Sequence, residues 1–147
     1  MKFDLNNKNA LVTGGSSGIG KAIAETLNSQ GATVYVIDLN ENESNTALGI
    51  STITTDITNL DTLKEALKEV PDQIDLLINN AGIGFVGNVE QTEEEDFDRL
   101  YQVNVKGVFN CIKAVLPRMK VKGGAIINMA SIVSHVAVNN RFAYTMT

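Results

Sequence analysis

The sequence has 147 residues, which is enough for one domain with its own core and too few for us to expect two. Hydrophobic residues make up 44% of the chain and charged residues 20%, a balance typical of folded globular proteins rather than of disordered chains. The formal net charge of −5 at pH 7 argues against nucleic acid as a partner, because phosphate binding requires a basic face.

Short apolar runs alternate with helical patterns along the chain. The runs rich in Val, Ile and Leu predict five strands, at 10–14, 33–39, 50–56, 75–82 and 125–131. Runs that are apolar on both faces indicate a parallel sheet covered on both sides. Helices are predicted between them, at 18–30, at 60–70 and from Thr92 to about Met119, the last beginning with a capping box of Thr92 and Glu95. This order predicts an α/β fold in one domain over residues 1–147. Its sheet is expected to be a Rossmann-like doubly wound parallel sheet in three α/β/α layers.

Cysteine and histidine each occur once in the sequence, which limits the possible disulfides and metal sites. Cys111 is the single cysteine, so an internal disulfide is impossible, and His135 is the single histidine, so it cannot build a histidine-rich metal site. The first ten residues lack the apolar core of a signal peptide, and no apolar run approaches the length of a membrane span. We therefore expect a cytoplasmic protein with no metal and no membrane partner.

The first predicted strand runs directly into the stretch TGGSSGIG (13–20), which opens the first predicted helix. At such a turn the first amides of the helix have no helical partner and point outward. Gly14 permits the tight turn, while Gly18 and Gly20 let a pyrophosphate and the helix come close to the strand. The alternative is a tight turn without a ligand. The position of the glycine stretch between a strand and a helix favours binding of a dinucleotide cofactor over that alternative.

Asp38 ends the second predicted strand. A carboxylate at this place can accept hydrogen bonds from both ribose hydroxyls of NAD, and it would repel the 2′-phosphate of NADP. Neither residues 14–20 nor the position directly after Asp38 contains a Lys or Arg to receive that phosphate. The sequence therefore favours NAD and makes NADP the less favoured cofactor. The alternative is an aspartate that only faces solvent.

Several further motifs follow in a recognisable order. They are Asp56 in the stretch DIT, NNAG at 79–82, Asn104 within the long helix, and Ser131 thirteen residues before Tyr144. With the glycine pattern, they make the chain resemble a short-chain dehydrogenase/reductase over essentially its whole length. The resemblance implies a cofactor site formed by Gly14, Ser16, Ser17, Gly18, Ile19, Gly20, Asp38, Asp56, Ile57, Asn80, Ala81 and Gly82.

The resemblance also implies the chemistry, which is hydride transfer between a nicotinamide and a small hydroxyl or carbonyl substrate. It gives Tyr144 the role of general acid and base, while Ser131 hydrogen-bonds the substrate oxygen and Asn104 holds a water in a proton relay. Arg141 lies three residues before Tyr144 and can clamp a substrate carboxylate as a bidentate pair. A solvated arginine before a helix is the interpretation of Arg141 that the sequence favours.

Two other functions stay open. A 3-oxoacyl-acyl-carrier-protein reductase would share every motif named, although such enzymes often prefer NADPH and Asp38 counts against that cofactor. A chain that binds a dinucleotide without catalysis is the second alternative, of a different class.

The family motif continues from the tyrosine as Y-x-x-x-K, and the sequence ends at Thr147, one residue before that lysine. In the family the lysine favours ionisation of the tyrosine and holds the nicotinamide ribose, so we expect low activity from the 147-residue chain itself. We also expect the C-terminal strands of the family's sheet to be missing, which leaves the fifth strand as an exposed apolar edge. For a full-length protein the resemblance implies a homo-oligomer, formed through the long helix and the helix that should follow Tyr144.

Overall fold

The computed structural model of this protein describes residues 4–147, so the first three residues of the predicted domain lie outside it. Five parallel strands form one sheet in the order β3-β2-β1-β4-β5. Their bounds are β1 (Asn9–Thr13), β2 (Thr33–Asp38), β3 (Ser51–Thr54), β4 (Leu76–Asn79) and β5 (Ala125–Asn128). The Rossmann-like α/β fold predicted from the sequence is confirmed.

Within residues 4–147, six α-helices connect or follow the strands. They are α1 (Gly18–Ser29), α2 (Glu43–Ala47), α3 (Leu60–Ala66), α4 (Glu94–Tyr101), α5 (Val108–Met119) and α6 (Phe142–Thr145). A π-helical segment, Gln102–Gly107, joins α4 to α5, so the predicted long helix is continuous to Met119 but begins at Glu94, two residues after the predicted start at Thr92. None of the helices within residues 4–147 combines the length and apolar character that crossing a bilayer requires.

The predicted capping box at the start of the long helix is wrong. Glu93 is the N-cap of α4, and the hydroxyl of Thr92 donates to the carbonyl of Asn88 instead. The capping box lies one turn earlier, where Asn88 and Gln91 bond reciprocally around a short 3₁₀ helix. A single turn of 3₁₀ helix before α4 therefore carries the capping box, formed by Asn88 and Gln91 and not by the predicted Thr92 and Glu95.

Two apolar clusters cover the two faces of the sheet. Leu11 of β1 packs with residues of α3 and α5, including Leu63 and Val115. Its neighbours Ala10 and Val12 point to the other face and pack with a cluster that contains Ala24 of α1. Because successive side chains of a strand alternate between faces, these contacts confirm the three-layer arrangement.

The strand order places a topological switch point beside β1. The chain moves outward from β1 through β2 to β3 and then returns to pair β4 with the other side of β1. In open α/β sheets, ligands bind in the crevice at the carboxyl ends of the strands where the order reverses. The turn after Thr13 and the loop after Asn79 both lie at this crevice.

β5 is an edge strand within residues 4–147, since it pairs with β4 alone. Ile127 at its centre is 49% exposed. The expected exposed apolar edge is therefore present in the described chain.

Candidate cofactor and active site

The glycine turn after β1 is packed tightly against the loop after β4. Gly14 has φ +66°, and a Cβ there would lie 2.9 Å from the Cα of Ala81. A Cβ on Gly20 would lie 2.1 Å from the carbonyl oxygen of Gly14, so the first turn of α1 touches the backbone of the turn itself. Glycine at both positions is what allows the helix to begin so close to the strand.

Thr13 and Asn80 fasten the two loops together. The hydroxyl oxygen of Thr13 accepts hydrogen bonds from the amides of Asn80 (3.1 Å) and Ala81 (3.0 Å). In return, Nδ2 of Asn80 donates to the carbonyls of Thr13 (3.1 Å) and Gly14 (3.2 Å). The side chain of Asn80 therefore holds the glycine turn, while its contact with the cofactor stays a prediction.

The N-terminus of α1 is free to bind an anion. Ser17 is the N-cap, its side chain makes no capping hydrogen bond, and the first turn contains no acidic residue. Ser17, Gly18 and Ile19 are all exposed. Unpaired amides and the helix dipole favour a negative group at such a place, so these residues fit the pyrophosphate of a dinucleotide.

Asp38 lies at the end of β2 beside this turn. Its Oδ2 accepts the amide of Ser16 at 3.0 Å, and its Oδ1 accepts the amide of Asn40 at 3.1 Å. An ionised carboxylate has about four acceptor sites, so each oxygen keeps one for a ribose hydroxyl. The geometry therefore suits a diol next to the diphosphate.

The charges around Asp38 disfavour an additional phosphate. The sequence has no Lys or Arg from residue 22 to residue 63, and Glu41 and Glu43 follow Asp38 closely. Lys21, in the first turns of α1, forms an i,i+4 ion pair with Glu25. A 2′-phosphate on the ribose would thus meet carboxylates in a segment without cations.

Asp56 and Ile57 follow β3 at the same edge of the sheet. Oδ1 of Asp56 accepts the amide of Thr58 at 2.8 Å, while its exposed side chain faces solvent. Ile57 is buried and would contact a Cβ placed on Gly107, at the end of the π-helical segment. These two positions border the crevice, and their predicted contacts with the cofactor stay predictions.

Asn104 lies in the π-helical segment and reaches the loop after β4. Its Oδ1 accepts the amide of Ile83 at 2.8 Å, and its Nδ2 donates to the carbonyl of Ile83 at 3.0 Å and to the hydroxyl of Thr147 at 2.9 Å. A Cβ on Gly82 would lie 3.3 Å from Oδ1 of Asn104. The structure thus joins Asn104 to the NNAG loop and to the segment that carries Tyr144.

Ser131 and Tyr144 both follow β5. Ser131 is the N-cap of a single 3₁₀ turn, and its Oγ accepts the amide of Val133 over 3.4 Å, which leaves its O–H free to donate. Tyr144 is half-buried on α6, a helix that packs against α4 and is anchored by the fully buried Ala143. The catalytic roles of both residues stay predictions.

Arg141 is tied to the loop after β4. Its Nη1 donates to the carbonyl of Phe85 at 2.9 Å. The backbone beside it pairs with Gly87, which donates to the carbonyl of Asn140 at 2.9 Å and accepts the amide of Phe142 at 3.2 Å. These bonds fix the approach to α6, and a guanidinium has further N–H groups for a carboxylate.

A cavity of about 340 Å³ lies between this loop and α4. It is lined by Ile83, Gly84, Phe85, Asp96, Arg99 and Leu100. The residues of α4 bring one carboxylate and one guanidinium to it, so its charge is balanced. No sequence motif pointed to this cavity.

Three side chains that shape the glycine turn were not among the residues predicted from the sequence. They are Thr13, which was seen only as part of the motif, and Asn42 and Asn45 in the segment after β2, which donate to the carbonyls of Ser16 and Gly15. The one available signal was at Asn42, since an asparagine followed by an acidic residue is typical of a helix N-cap.

Comparisons with known proteins show the family of the chain. A family model described as short chain dehydrogenase matches residues 8–147. The chain is 36% identical over 97% of its length to an NAD-dependent glycerol dehydrogenase of Listeria innocua, and 37% identical over 96% to the 3-oxoacyl-acyl-carrier-protein reductase FabG of Staphylococcus epidermidis. It is 38% identical over 96% to dehydrogenase/reductase SDR family member 6 of Aquarana catesbeiana. It spans 59%, 63% and 59% of the lengths of these relatives. The chain belongs to the short-chain dehydrogenase family of oxidoreductases.

Proposed function

We propose that this chain forms the cofactor-binding and proton-transfer part of an NAD-dependent oxidoreductase acting on a small hydroxyl or carbonyl compound. The observation that carries the proposal is the carboxylate of Asp38, held beside the glycine turn by the amide of Ser16 at 3.0 Å. The carboxylate lies beside the exposed start of α1 and is followed by a segment without cations, which supports binding of the ribose hydroxyls by Asp38 next to a pyrophosphate. The name of the Listeria relative, an NAD-dependent dehydrogenase, supports the same cofactor.

The residues of the chain manage the proton of the substrate oxygen. A bound nicotinamide dinucleotide supplies the hydride acceptor or donor. During oxidation of an alcohol, Tyr144 removes the hydroxyl proton, and during reduction it returns one. The O–H of Ser131 donates to the same oxygen, while Asn104 keeps the NNAG loop and the Tyr144 segment at a fixed distance through Ile83 and Thr147.

Reduction of a 3-oxoacyl group on a carrier protein is the second candidate. It is supported by the 37% identity to the Staphylococcus reductase over 96% of this chain. The two candidates differ in the substrate, since the first takes a small free molecule and the second a thioester attached to a protein. A panel of polyols, hydroxy acids and 3-oxoacyl thioesters separates them, and the hydroxy acids also test the proposed carboxylate clamp at Arg141.

Nucleotide preference is the first test. NADH and NADPH are titrated separately by the fluorescence of the reduced nicotinamide, and we expect NADH to bind at least roughly tenfold more tightly, since a phosphate near a carboxylate is repelled. Asp38→Ala should narrow that difference by weakening NADH binding. Asp72→Ala is the control, because it removes the same charge from an exposed loop. Equal affinities of the unaltered protein for the two nucleotides would overturn the choice of NAD.

Turnover is the second test, made on the protein isolated from its own cells. We expect oxidation or reduction of at least one member of the panel, and a loss of at least about 100-fold in kcat for Tyr144→Phe, because the phenol is the proposed acid and base. NADH affinity should be unchanged in that variant. Full activity of Tyr144→Phe would show that another group transfers the proton.

A further inference from the structure

The segment after β2 holds the glycine turn by side-chain hydrogen bonds. All three polar groups of Ser16 are engaged: its amide donates to Asp38 (3.0 Å), its hydroxyl donates to the carbonyl of Asn40 (2.6 Å), and its carbonyl accepts Nδ2 of Asn42 (2.6 Å). The carbonyl of Gly15 accepts Nδ2 of Asn45 at 3.2 Å. Residues 15 and 16 are thus fixed to residues 38–45.

These bonds determine which way the amides of the turn point. The C=O of one residue and the N–H of the next lie in one rigid plane and point in opposite directions. Because Asn42 draws the carbonyl of Ser16 toward the segment after β2, the amide of Ser17 must point away from it. That amide precedes the exposed N-terminus of α1, where the pyrophosphate is proposed to bind.

Asn45 acts on the proposed ribose acceptor in the same way. Asn45 fixes the carbonyl of Gly15, so the amide of Ser16 is directed oppositely, and this is the amide that Asp38 accepts. Each asparagine therefore controls one peptide plane. One plane carries a phosphate-facing amide, and the other orients the ribose acceptor.

Asn45 is poorly explained as a residue that only stabilises the fold. It is fully buried, and among the described residues its Oδ1 has no hydrogen-bond partner. A buried acceptor without a hydrogen-bond partner lowers the stability of the fold. The favourable contribution of the Asn45 side chain is its hydrogen bond to the carbonyl of Gly15 in the turn. Asn42 is held differently, since its Oδ1 accepts the amide of Ser44 at 2.8 Å and so directs Nδ2 toward Ser16.

We propose that Asn42 and Asn45 are positioning residues for the dinucleotide, with Asn42 setting the phosphate-facing amide of Ser17 and Asn45 setting the orientation of Asp38 through Ser16. The proposal rests on the proposed function, because it assumes a dinucleotide at the glycine turn. It assigns the cofactor affinity partly to two side chains that lie outside the glycine motif.

Asn42→Ser is the decisive variant. Serine keeps the capping role at the start of α2 and cannot reach the carbonyl of Ser16, and it leaves the charge unchanged. Asn59→Ser is the matched control, since Asn59 caps α3 by accepting the amides of Asp61 and Thr62. We expect the Kd of NADH to rise roughly fivefold to tenfold in Asn42→Ser, as for the loss of one net hydrogen bond, and to stay unchanged in Asn59→Ser.

Binding of adenosine distinguishes an effect on phosphate binding from a general loss of order at the cofactor site. Adenosine has no phosphate, so its Kd should change by less than about twofold in Asn42→Ser if only the Ser17 amide is displaced. Asn45→Ala should instead lower the ratio of NADH to NADPH affinity, provided that thermal unfolding shows it to be folded. A merely structural role would leave that ratio unchanged. Asn42→Ser tests the proposal even if Asn45→Ala does not fold.

The outcomes distinguish this inference from the proposed function. If the unaltered protein binds NADH and Asn42→Ser binds it equally well, the positioning role is overturned and the proposed function stands. Equal weakening of NADH and adenosine would also overturn it, because the change would not act through the phosphate. If the unaltered protein binds neither NADH nor NADPH, the proposed function and this inference fail together.

Discussion

The side chain of Asn104 holds both backbone polar groups of Ile83, accepting its amide at 2.8 Å and donating to its carbonyl at 3.0 Å. A third bond, from Nδ2 to the hydroxyl of Thr147, links this pair to the segment that carries Tyr144. One amide side chain thus joins the long helix, the loop after β4 and the end of α6. π-Helical segments often occur at functional sites, and here the segment positions the residue that makes these bonds.

Asn104→Ala should therefore lower the free energy of unfolding by about 2 kcal/mol, since it leaves the partly buried groups of Ile83 without partners. Urea unfolding measures this change. Asn28→Ala is the control: it removes one exposed hydrogen bond, to the carbonyl of Leu48, and should cost less than about 1 kcal/mol. Equal losses of unfolding free energy in the two variants would contradict a larger stabilising contribution from Asn104.

The glycines of the turn should differ sharply in their tolerance of alanine. A Cβ on Gly20 would meet the backbone of Gly14 at 2.1 Å, so Gly20→Ala should destabilise the fold by at least about 3 kcal/mol. Gly18 has φ +53° with open space around it, so Gly18→Ala should cost only the backbone strain, about 1 kcal/mol. Gly84→Ala, in open space and without a positive φ, is the control in urea unfolding. A Gly20→Ala protein as stable as Gly18→Ala would refute this packing.

The fold could be predicted from the sequence because the apolar residues of its strands and helices recur with a clear period. Each of the five apolar runs contains a strand, but the strands predicted at 50–56 and 125–131 end early, at Thr54 and Asn128, and the one predicted at 75–82 ends at Asn79. There the backbone turns, and the amides of Asn80 and Ala81 bond to the hydroxyl of Thr13 instead of continuing the sheet. Residue preference cannot reveal such an end, since it is set by a side chain on another strand.

The network around the glycine turn could not be predicted for a related reason. Asn42 and Asn45 act on carbonyls 26 and 30 residues earlier in the chain, and the polar stretch between 40 and 45 is typical of a loop. α2 itself has five residues, which is too short to show a helical period. The glycines of the motif were recognisable because they lie close together in one short turn. The asparagines that hold the turn became recognisable only in the structure, where the strands lie side by side.

Asp75 should make stability depend on pH at the acidic end. The amide of Asn9, at 3.0 Å, and then the ammonium of Lys8 lower the pKa of this carboxyl below its ordinary value of 3.8. A lowered pKa in the folded state means that the stabilisation is complete above 3.8 and is lost as the pH falls through the folded-state value. Asp75→Asn should thus be less stable than the unaltered protein by about 1–2 kcal/mol at pH 6, with the difference vanishing at low pH.

Urea unfolding at a series of pH values between 6 and about 2 tests this window. The control is Asp72→Asn, which removes a carboxylate from an exposed position three residues away. It should leave the slope of stability against pH nearly unchanged. A constant difference between Asp75→Asn and the unaltered protein at every pH would show that the charge of Asp75 is not the source of its contribution.

Cys111 should resist alkylation as long as the protein is folded. It lies on α5 at 1% exposure within the same apolar cluster as Leu11, as expected of a small core residue, and burial raises the pKa of its thiol to about 12. Since the thiolate is the reactive form, iodoacetamide at pH 8 should modify the native protein far more slowly than the urea-unfolded protein, as measured by intact mass. The unfolded chain is the control for reagent and pH. Labelling at equal rates in both states would mean that α5 separates readily from the sheet, because no exposed thiol is present in the described fold to explain it.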